Sequence, residues 1–466
     1  MEFNINDYKE NGLFLLSKLI SFKSVLEEFD PNSDEPFGAD NKKALDFILD
    51  YAKNDGFKVF NDDNYAGHIE FGNGEDLLGI LCHLDVVPVA DQDWNHDPFT
   101  LTIEGDKMYG RGTTDDKGPL AAAYLALKIL KDSGFEPKKR IRLIMGCDEE
   151  SGSRCLRHYF KTQELPGLGF SPDAEYPLIY GEKAHMNYNF IGNLKNDEII
   201  VELTSGNRYN IVPAKASMKL NKDLKKEYLE FLNKNNYQGE VVDDCYFAYG
   251  KASHAMVPEK GLNASFILFE FLNEVHPTTL SKFFVNCLTF DPFGKKLGYD
   301  LYSEEMLELT SNVGVVKIKD GKILIGMDCR VPLESHKDKM VECISNASKA
   351  YDLDYEILSF GGYHYVDPNG TLVKTLMNAY QEVSGDYELK PMVIGGGTYA
   401  KFIKNCVAFG PTFPGREDVC HIADEYLLLS DFLDNVKIYV KAIYDLTSSL
   451  PGKVGPNATQ FLINLA

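Results

Sequence analysis

Residues 77–85 read LLGILCHLD. The apolar run Leu77–Leu81 predicts a short strand, because four to eight apolar residues bounded by polar ones are typical of a buried strand. His83 and Asp85 follow at its end, and residues two apart lie on the same side of an extended chain. A carboxylate beside a histidine fixes the tautomer of a metal-binding imidazole, although a structural histidine capped by an acid has the same pattern.

Helix and strand patterns alternate on the C-terminal side of this strand. Pro119–Leu130 is rich in Ala and Leu, and its proline is a residue favoured in the first turn of a helix. Ile141–Met145 is a second apolar strand. Strands that alternate with helices predict a largely parallel sheet with helices on its faces.

Similar elements are predicted elsewhere in the chain. The first is a helix with Leu13, Leu16 and Ile20 on one face. The others are helices over Asp40–Asn54, Leu372–Val383 and Ala423–Thr447 and an apolar segment over Met392–Ile394.

The pattern changes between about Tyr180 and Gly362. Polar segments here separate hairpin-like strands, such as Val313–Lys319 and Lys322–Met327, which Asp-Gly joins in a tight turn. A structured segment of this length counts as a domain. We therefore predict the α/β class, with a mixed, mainly parallel sheet flanked by helices in a catalytic domain formed by residues 1–180 and 363–466. An inserted α+β lid domain is predicted at residues 181–362.

The composition excludes several classes of protein. The 466 residues include 48 Lys and Arg against 70 Asp and Glu, a net charge of −22, which disfavours nucleic-acid and anionic-membrane binding. No stretch has the ~18 apolar residues of a membrane span, and the N-terminus lacks signal-peptide regions. Nine cysteines without C-x-x-C spacing argue against a disulfide framework or a zinc ribbon. We expect a cytoplasmic protein with reduced thiols.

Further segments carry residues that could bind a ligand or take part in catalysis. Residues 110–118 read GRGTTDDKG, and residues 148–150 are three consecutive acids after the strand at 141–145. Asp173 follows a proline, and His421 precedes the last predicted helix. Each has an ordinary structural explanation: a helix cap, a solvated acidic turn, a proline turn or a neighbour of a cap.

Considered together, these segments indicate a metal site. Several lie where strands should end, and ligands of α/β sheets bind at the carboxyl ends of strands. Histidines and carboxylates without paired cysteines suit zinc or manganese rather than a structural cysteine-rich zinc. A carboxylate that bridges two metals, with a free glutamate as base, would make a two-metal hydrolase.

The motifs at 79–88, 110–118 and 148–150 resemble the dinuclear zinc exopeptidase family, which includes aminoacylases, bacterial glutamate carboxypeptidases and carnosinase-like dipeptidases. The motifs occur in the family's order and span most of the chain. The length, the Ser-Pro-Asp segment ending at Asp173 and the large insertion are similar to the bacterial dipeptidase V type.

The resemblance implies two divalent metal ions per chain, zinc or manganese. His83 and Asp173 should bind one ion, Glu150 and His421 the other, and Asp115 should bridge them.

The resemblance also assigns roles around the metals. Asp85 should orient His83, and Glu149 should be the general base that takes a proton from the metal-bridging water. The peptide bond between Asp115 and Asp116 should be cis.

In the insertion, the resemblance makes His254 the group that stabilises the oxyanion. Asn210 should help to hold the substrate and Arg330 its carboxylate. By their residue types alone, an ordinary loop histidine is the simpler interpretation of His254, and a surface ion pair that of Arg330. The family's glycine-rich substrate loop corresponds to Gly395, Gly396 and Thr398.

In dipeptidase V relatives an enlarged lid replaces the partner subunit, so we expect a monomer. An aspartate at position 173 goes with dipeptidase activity in the family, which predicts hydrolysis of dipeptides with a free N-terminus. Three alternatives stay open: an N-acyl amino-acid deacylase with the same site, a catalytically silent peptide- or metal-binding protein, and a Cys- or Ser-nucleophile hydrolase.

Overall fold

The computed structural model describes residues 4–90 and 92–448, so residues 1–3, 91 and 449–466 lie outside the described part. The chain forms two compact units. The first comprises the described residues of Met1–Tyr180, Tyr365–Met392 and Thr398–Ala466. The second comprises Gly181–His364 and Val393–Gly397.

The first stretch of chain is mostly α/β. Its helices are α1 (Asn6–Ser21), α2 (Ala39–Asn54), α3 (Lys117–Asp132) and α4 (Arg154–Tyr159). Its strands are β1 (Lys58–Asp62), β2 (Ala66–Phe71), β3 (Leu77–His83), β4 (Thr102–Glu104), β5 (Lys107–Tyr109), β6 (Arg140–Gly146), β7 (Leu168–Ser171), β8 (Ala174–Glu175) and β9 (Ile179–Glu182).

The middle stretch contains long antiparallel strands and four helices. The strands are β10 (Ala184–Asn193), β11 (Ile200–Ser205), β12 (Lys215–Leu220), β13 (Gln238–Val242), β14 (Cys245–Tyr249), β15 (Tyr302–Ser303), β16 (Leu307–Glu308), β17 (Thr310–Lys319), β18 (Lys322–Val331) and β19 (Asp354–Gly361). The helices are α5 (Lys225–Asn235), α6 (Ala264–Val275), α7 (Thr279–Cys287) and α8 (Lys337–Ala350).

The last stretch belongs to the first unit, except for His364 and for Val393–Gly397, which belong to the second. It contains β20 (His364–Tyr365), α9 (Thr371–Ser384), β21 (Met392–Ile394), β22 (Cys406–Ala408), β23 (Pro411–Thr412), β24 (Tyr426–Leu428) and α10 (Leu429–Thr447). Short 3₁₀ turns occur at Pro258–Lys260, Glu334–His336 and Tyr399–Phe402.

The main sheet of the first unit includes the strands β1-β2-β6-β3-β7-β22-β9 in that order. The central strands β6, β3, β7 and β22 are parallel, whereas β1, β2 and β9 pair antiparallel. β3 is buried along its whole length, and α3 packs against it and against α1 and α10. The α/β class and the mixed sheet flanked by helices are confirmed.

The second unit is built on one antiparallel sheet with the order β13-β14-β12-β11-β17-β18-β10-β19. It has a hydrophobic core of its own. The predicted hairpin is present: β17 and β18 are joined through Asp320 and Gly321, both with positive φ, as a tight hairpin turn requires.

The helix predicted over Ala423–Thr447 is wrong at its start. Residues 426–428 form β24, which pairs with β5, and α10 begins only at Leu429. Asp106 stops the helix from extending further back, because its backbone oxygen accepts the Leu429 N–H and its carboxylate accepts the Ser430 N–H. Helical periodicity does not reveal either partner, since both lie more than 300 residues earlier.

The described residues include no helix with both the length and the apolar character needed to cross a membrane. All nine cysteines lie in the described part and are free.

Candidate metal centre

His83 ends β3, in the first unit, and its imidazole is 1 % exposed. Its Nδ1 lies 2.9 Å from the backbone oxygen of Asp85, which can only accept, so Nδ1 carries a proton and donates. The opposite nitrogen, Nε2, therefore faces Asp115 Oδ1 at 2.8 Å and Asp173 Oδ2 at 3.8 Å. Two carboxylates cannot both lie against a bare nitrogen lone pair, so a proton or a cation must stand between these groups.

Asp115 presents its two oxygens to two different histidines. Oδ1 lies 2.8 Å from Nε2 of His83, and Oδ2 lies 2.9 Å from Nε2 of His421. Burial raises the pKa of Asp115, but the hydrogen bonds from His421 and His83 outweigh burial and hold that pKa well below its usual range. The peptide bond between Asp115 and Asp116 is cis, as the resemblance implied.

Glu149 and Glu150 lie just beyond the end of β6. Glu150 Oε1 is 3.1 Å from His421 Nε2, and burial together with the charge of Asp115 raises the pKa of Glu150 to about 7. Burial and the charge of Asp173 raise the pKa of Glu149 well above its usual value.

Asp173 and His421 complete the group of predicted ligands. Burial and the nearby Asp115 raise the pKa of Asp173 to about 6. The His421 side chain is 47 % exposed. Burial lowers the pKa of His421, but its bonds to Asp115 and Glu150 raise that pKa to about 11.

Ligand atoms from these residues fall in two overlapping groups, within each of which all atoms lie within 4.8 Å of one another. One group is His83, Glu149 and Asp173, and the other is His83, Asp115 and Glu150. Imidazole nitrogens and carboxylate oxygens, with no thiol in either group, form a donor set suited to zinc or manganese. The residues present therefore fit divalent cations, whose charge would offset the crowded carboxylates.

Asp85 contacts both His83 and the loop that carries Glu149 and Glu150. Its backbone oxygen, rather than its carboxylate, makes the short contact to His83, from which Oδ1 is 3.5 Å away. The carboxylate accepts the backbone N–H of Glu149 at 2.9 Å and that of Glu150 at 3.1 Å. Asp85 thus holds the loop that carries both glutamates.

Sequence reasoning missed two buried residues beside His83. Asp116 accepts the backbone N–H of His83 at 3.0 Å. Tyr399 lies edge-on to the His83 ring, and its hydroxyl is 2.9 Å from Sγ of Cys155. The double aspartate was a signal for Asp116, whereas no local pattern pointed to Tyr399.

The second unit holds most of the other predicted residues. His254 pairs through its backbone with Ile211, next to Asn210, whose oxygen accepts the Ala255 N–H. The His254 Nδ1 accepts the N–H of Met256 at 3.2 Å. The strand contact thus brings the predicted Asn210 and His254 segments together.

Arg330 is a buried residue of β18 with a well-fixed side chain. Its guanidinium binds both carboxylate oxygens of Asp328, at 2.6 and 2.9 Å, and donates to His185 Nε2 at 2.7 Å. The guanidinium also donates to the backbone oxygen of Gly395 at 2.5 Å. The neighbouring Gly396 is closely packed, since a Cβ at that position would lie 3.2 Å from the sulfur of Met256. Asp328 and His185 were not among the predicted site residues.

Thr398 belongs to the first unit and is buried. Its hydroxyl accepts the N–H of Ala400 and so caps the 3₁₀ turn at Tyr399–Phe402.

The fold and the site together define an α/β protein with a candidate metal centre at the ends of the central strands of its mixed sheet. Residues 79–445 match the model of Peptidase family M20/M25/M40, and the chain belongs to that family. It is therefore a metallopeptidase. One solved protein with a similar fold, YXEP of Bacillus subtilis, is described as a dinuclear metal-binding peptidase of the M20 family.

Curated relatives match over nearly the full length. A putative dipeptidase of Staphylococcus haemolyticus is 36% identical over 463 residues, covering 95% of this chain and 98% of that protein. A putative dipeptidase of Staphylococcus aureus is 37% identical over 462 residues, with the same coverage.

Solved structures share the fold at low identity. Human carnosine dipeptidase 1 aligns with a TM-score of 0.57 at 12% identity, covering 96% of this chain and 98% of that one. The di-peptidase Dug1p of Saccharomyces cerevisiae aligns with a TM-score of 0.57 at 18% identity, covering 96% and 97%.

Proposed function

We propose that the protein hydrolyses the peptide bond of dipeptides with a free N-terminus and uses two divalent metal ions. The observation that carries this proposal is the position of Asp115, whose two oxygens face His83 and His421 separately. The full-length similarity to proteins described as putative dipeptidases supports the substrate class.

His83 and Asp173 would hold one ion, Glu150 and His421 the other, and Asp115 would contribute to both. Bound there, the ions supply Lewis-acid polarisation of a carbonyl group. Zinc is the metal we propose, and manganese suits the same donors.

Glu149 would be the general base: it takes a proton from the attacking water and passes it to the leaving amine. The contacts of Asp85 support separate roles for Glu149 as base and Glu150 as metal ligand, because one carboxylate oxygen accepts the backbone N–H of Glu149 and the other that of Glu150. The two neighbouring carboxylates are thus held from a common anchor.

In the second unit, His254 would stabilise the oxyanion, and Arg330 would bind the substrate carboxylate with help from Asn210. Asp328, His185 and the backbone oxygen of Gly395 keep the Arg330 guanidinium in one orientation. These contacts use four of its five N–H groups, so the second N–H of Nη2 is the one we propose for the substrate carboxylate. The segment with Gly395 and Gly396 and the capping residue Thr398 complete the proposed substrate contacts. We further propose that the enzyme acts as a cytoplasmic monomer whose inserted domain is a lid.

Glu149→Gln tests the assignment of the base, because Glu149 also lies in one of the two ligand groups. We expect two metal ions per chain by elemental analysis and a fall in turnover of about 10²- to 10⁴-fold. Glu150→Gln is the matched control and should lose metal. Loss of metal from Glu149→Gln instead would make Glu149 a ligand and overturn its role as base.

A substrate panel separates the remaining alternatives. Free and N-acetylated dipeptides are offered to the metal-loaded enzyme: cleavage of the blocked ones only would indicate a deacylase. Metal binding without any hydrolysis would indicate a silent binding protein. Full activity after exhaustive chelation would indicate a Cys- or Ser-nucleophile enzyme.

A further inference from the structure

An ion pair between Arg111 and Glu425 is buried in the first unit beside the candidate metal centre. The Arg111 side chain is 1 % exposed and that of Glu425 is fully buried, and Nη1 lies 2.8 Å from Oε2. The proposed chemistry uses neither residue. A buried ion pair is costly to desolvate and is tolerated when further hydrogen bonds satisfy its polar atoms.

The Glu425 carboxylate accepts several backbone hydrogen bonds from the loop that carries Asp115. It accepts the N–H of Gly112 at 3.1 Å, that of Thr114 at 2.8 Å and that of Asp115 itself at 3.1 Å. Gly112 has a φ of +91°, a conformation that suits glycine and turns these N–H groups to one side. One carboxylate therefore fixes the backbone from which Asp115 projects.

The Arg111 guanidinium holds the other ligand loop. Its Nη1 donates to the backbone oxygen of Ile422 at 3.2 Å, and Nη2 donates to the Gln92 side chain at 3.1 Å. The Gln92 amide in turn donates to the backbone oxygen of His421 at 2.9 Å. His421 has a φ of +64°, an uncommon conformation for a residue with a side chain, which the surrounding contacts must hold.

We infer that Arg111, Glu425 and Gln92 form a positioning cluster that sets the separation of Asp115 and His421 and so controls metal affinity. The two ligands are 306 residues apart and lie on irregular loops, so no continuous helix or strand fixes their spacing. The inference rests on the metal assignment of the proposed function, and residues that orient ligands from behind typically change metal affinity about 10- to 100-fold when replaced.

The cluster has two arms with different expected effects. Glu425 acts on Asp115, which serves both ions, so Glu425→Gln should weaken both binding steps. Gln92 contacts the backbone of His421 directly and is linked to Asp115 only through Arg111 and Glu425, so Gln92→Ala should weaken one step much more than the other. A general loss of stability would not weaken mainly one metal-binding step in Gln92→Ala and both steps in Glu425→Gln.

The experiment is a calorimetric titration of the metal-stripped full-length protein with Zn²⁺, in competition with a chelator. Wild type should bind two zinc ions. In Glu425→Gln both zinc affinities should fall about 10- to 100-fold, and in Gln92→Ala mainly one of the two affinities should fall by the same factor. Glu70→Gln is the matched control, since Glu70 pairs with Arg142 Nε at 2.7 Å in the same unit and is not a predicted ligand. Its zinc affinities should equal those of wild type.

Hydrogen exchange of the metal-free proteins gives a second readout, in which residues 112–115 should exchange faster in Glu425→Gln. Unchanged zinc affinities in Glu425→Gln and Gln92→Ala, or an equal loss in Glu70→Gln, would overturn the inference while leaving the proposed function intact. A wild type that binds no zinc or manganese would instead overturn the metal assignment, and the inference with it. If Glu425→Gln fails to fold, Gln92→Ala, which changes a partly exposed residue, decides the result.

Discussion

Replacing Asp85 by asparagine tests how the first unit keeps Glu149 and Glu150 in place. The buried carboxylate accepts one backbone N–H with each oxygen, at 2.9 and 3.1 Å. Asparagine has the same shape but only one acceptor oxygen. Its amide N–H₂ group would face the N–H of one of the two glutamates, so one hydrogen bond is lost and a buried donor remains unpaired.

The structure sets the magnitude of this effect. A hydrogen bond to a charged group contributes about 1.5–3 kcal/mol, so the loop at 147–153 should open more easily by about that amount. Since about 1.4 kcal/mol corresponds to a factor of ten, amide exchange in this loop should accelerate about 10- to 100-fold. Activity should fall as well, because Glu149 and Glu150 lose their common anchor.

Hydrogen exchange with mass spectrometry on metal-free protein, together with kcat/KM on a dipeptide, measures both effects. Asp106→Asn is the control: Asp106 also accepts a backbone N–H, from Ser430 at 3.0 Å, but is not a predicted site residue. It should leave exchange at 147–153 unchanged. Unchanged exchange of that loop in Asp85→Asn would refute the anchoring role and return Asp85 to the orientation of His83.

Four other outcomes are expected. Exhaustive chelation should abolish dipeptide hydrolysis, and zinc or manganese should restore it. Ile80→Ala, in fully buried β3, should lower the free energy of unfolding by about 2–5 kcal/mol in urea titrations. Gly118→Ala would place a Cβ 1.9 Å from the backbone oxygen of Thr113. Its free energy of unfolding, also measured by urea titration, should therefore fall by about 3 kcal/mol or more. Burial lowers the pKa of His68 to about 3 in the folded protein, against about 6.5 when unfolded. Its neutral form therefore stabilises the fold above pH 6.5, and this contribution falls by up to about 1.4 kcal/mol per unit as the pH drops towards 3. His68→Gln should flatten that part of the stability profile, and parallel profiles for the two proteins would contradict this assignment.

Local patterns predicted the regular elements of the first unit well. The strand at 77–81 and the helices at 40–54 and 119–130 are all present and extend only slightly further. These elements are encoded by residues that follow one another, since burial of one face imposes a period on the sequence. The start of α10 was missed because Asp106, which accepts its first two N–H groups, and β5, which pairs with the preceding strand, are both remote in sequence.

The sequence by itself determined the kinds of groups available: two histidines and several carboxylates next to strand ends, with no paired thiols. Only the tertiary structure decided how they meet. It placed the two oxygens of Asp115 against different histidines, turned the carboxylate of Asp85 to the glutamate loop, and buried Glu425 under the backbone of Asp115. A carboxylate's chemistry is a property of its residue type, whereas its partners depend on which distant loops the packed sheet brings within hydrogen-bonding distance.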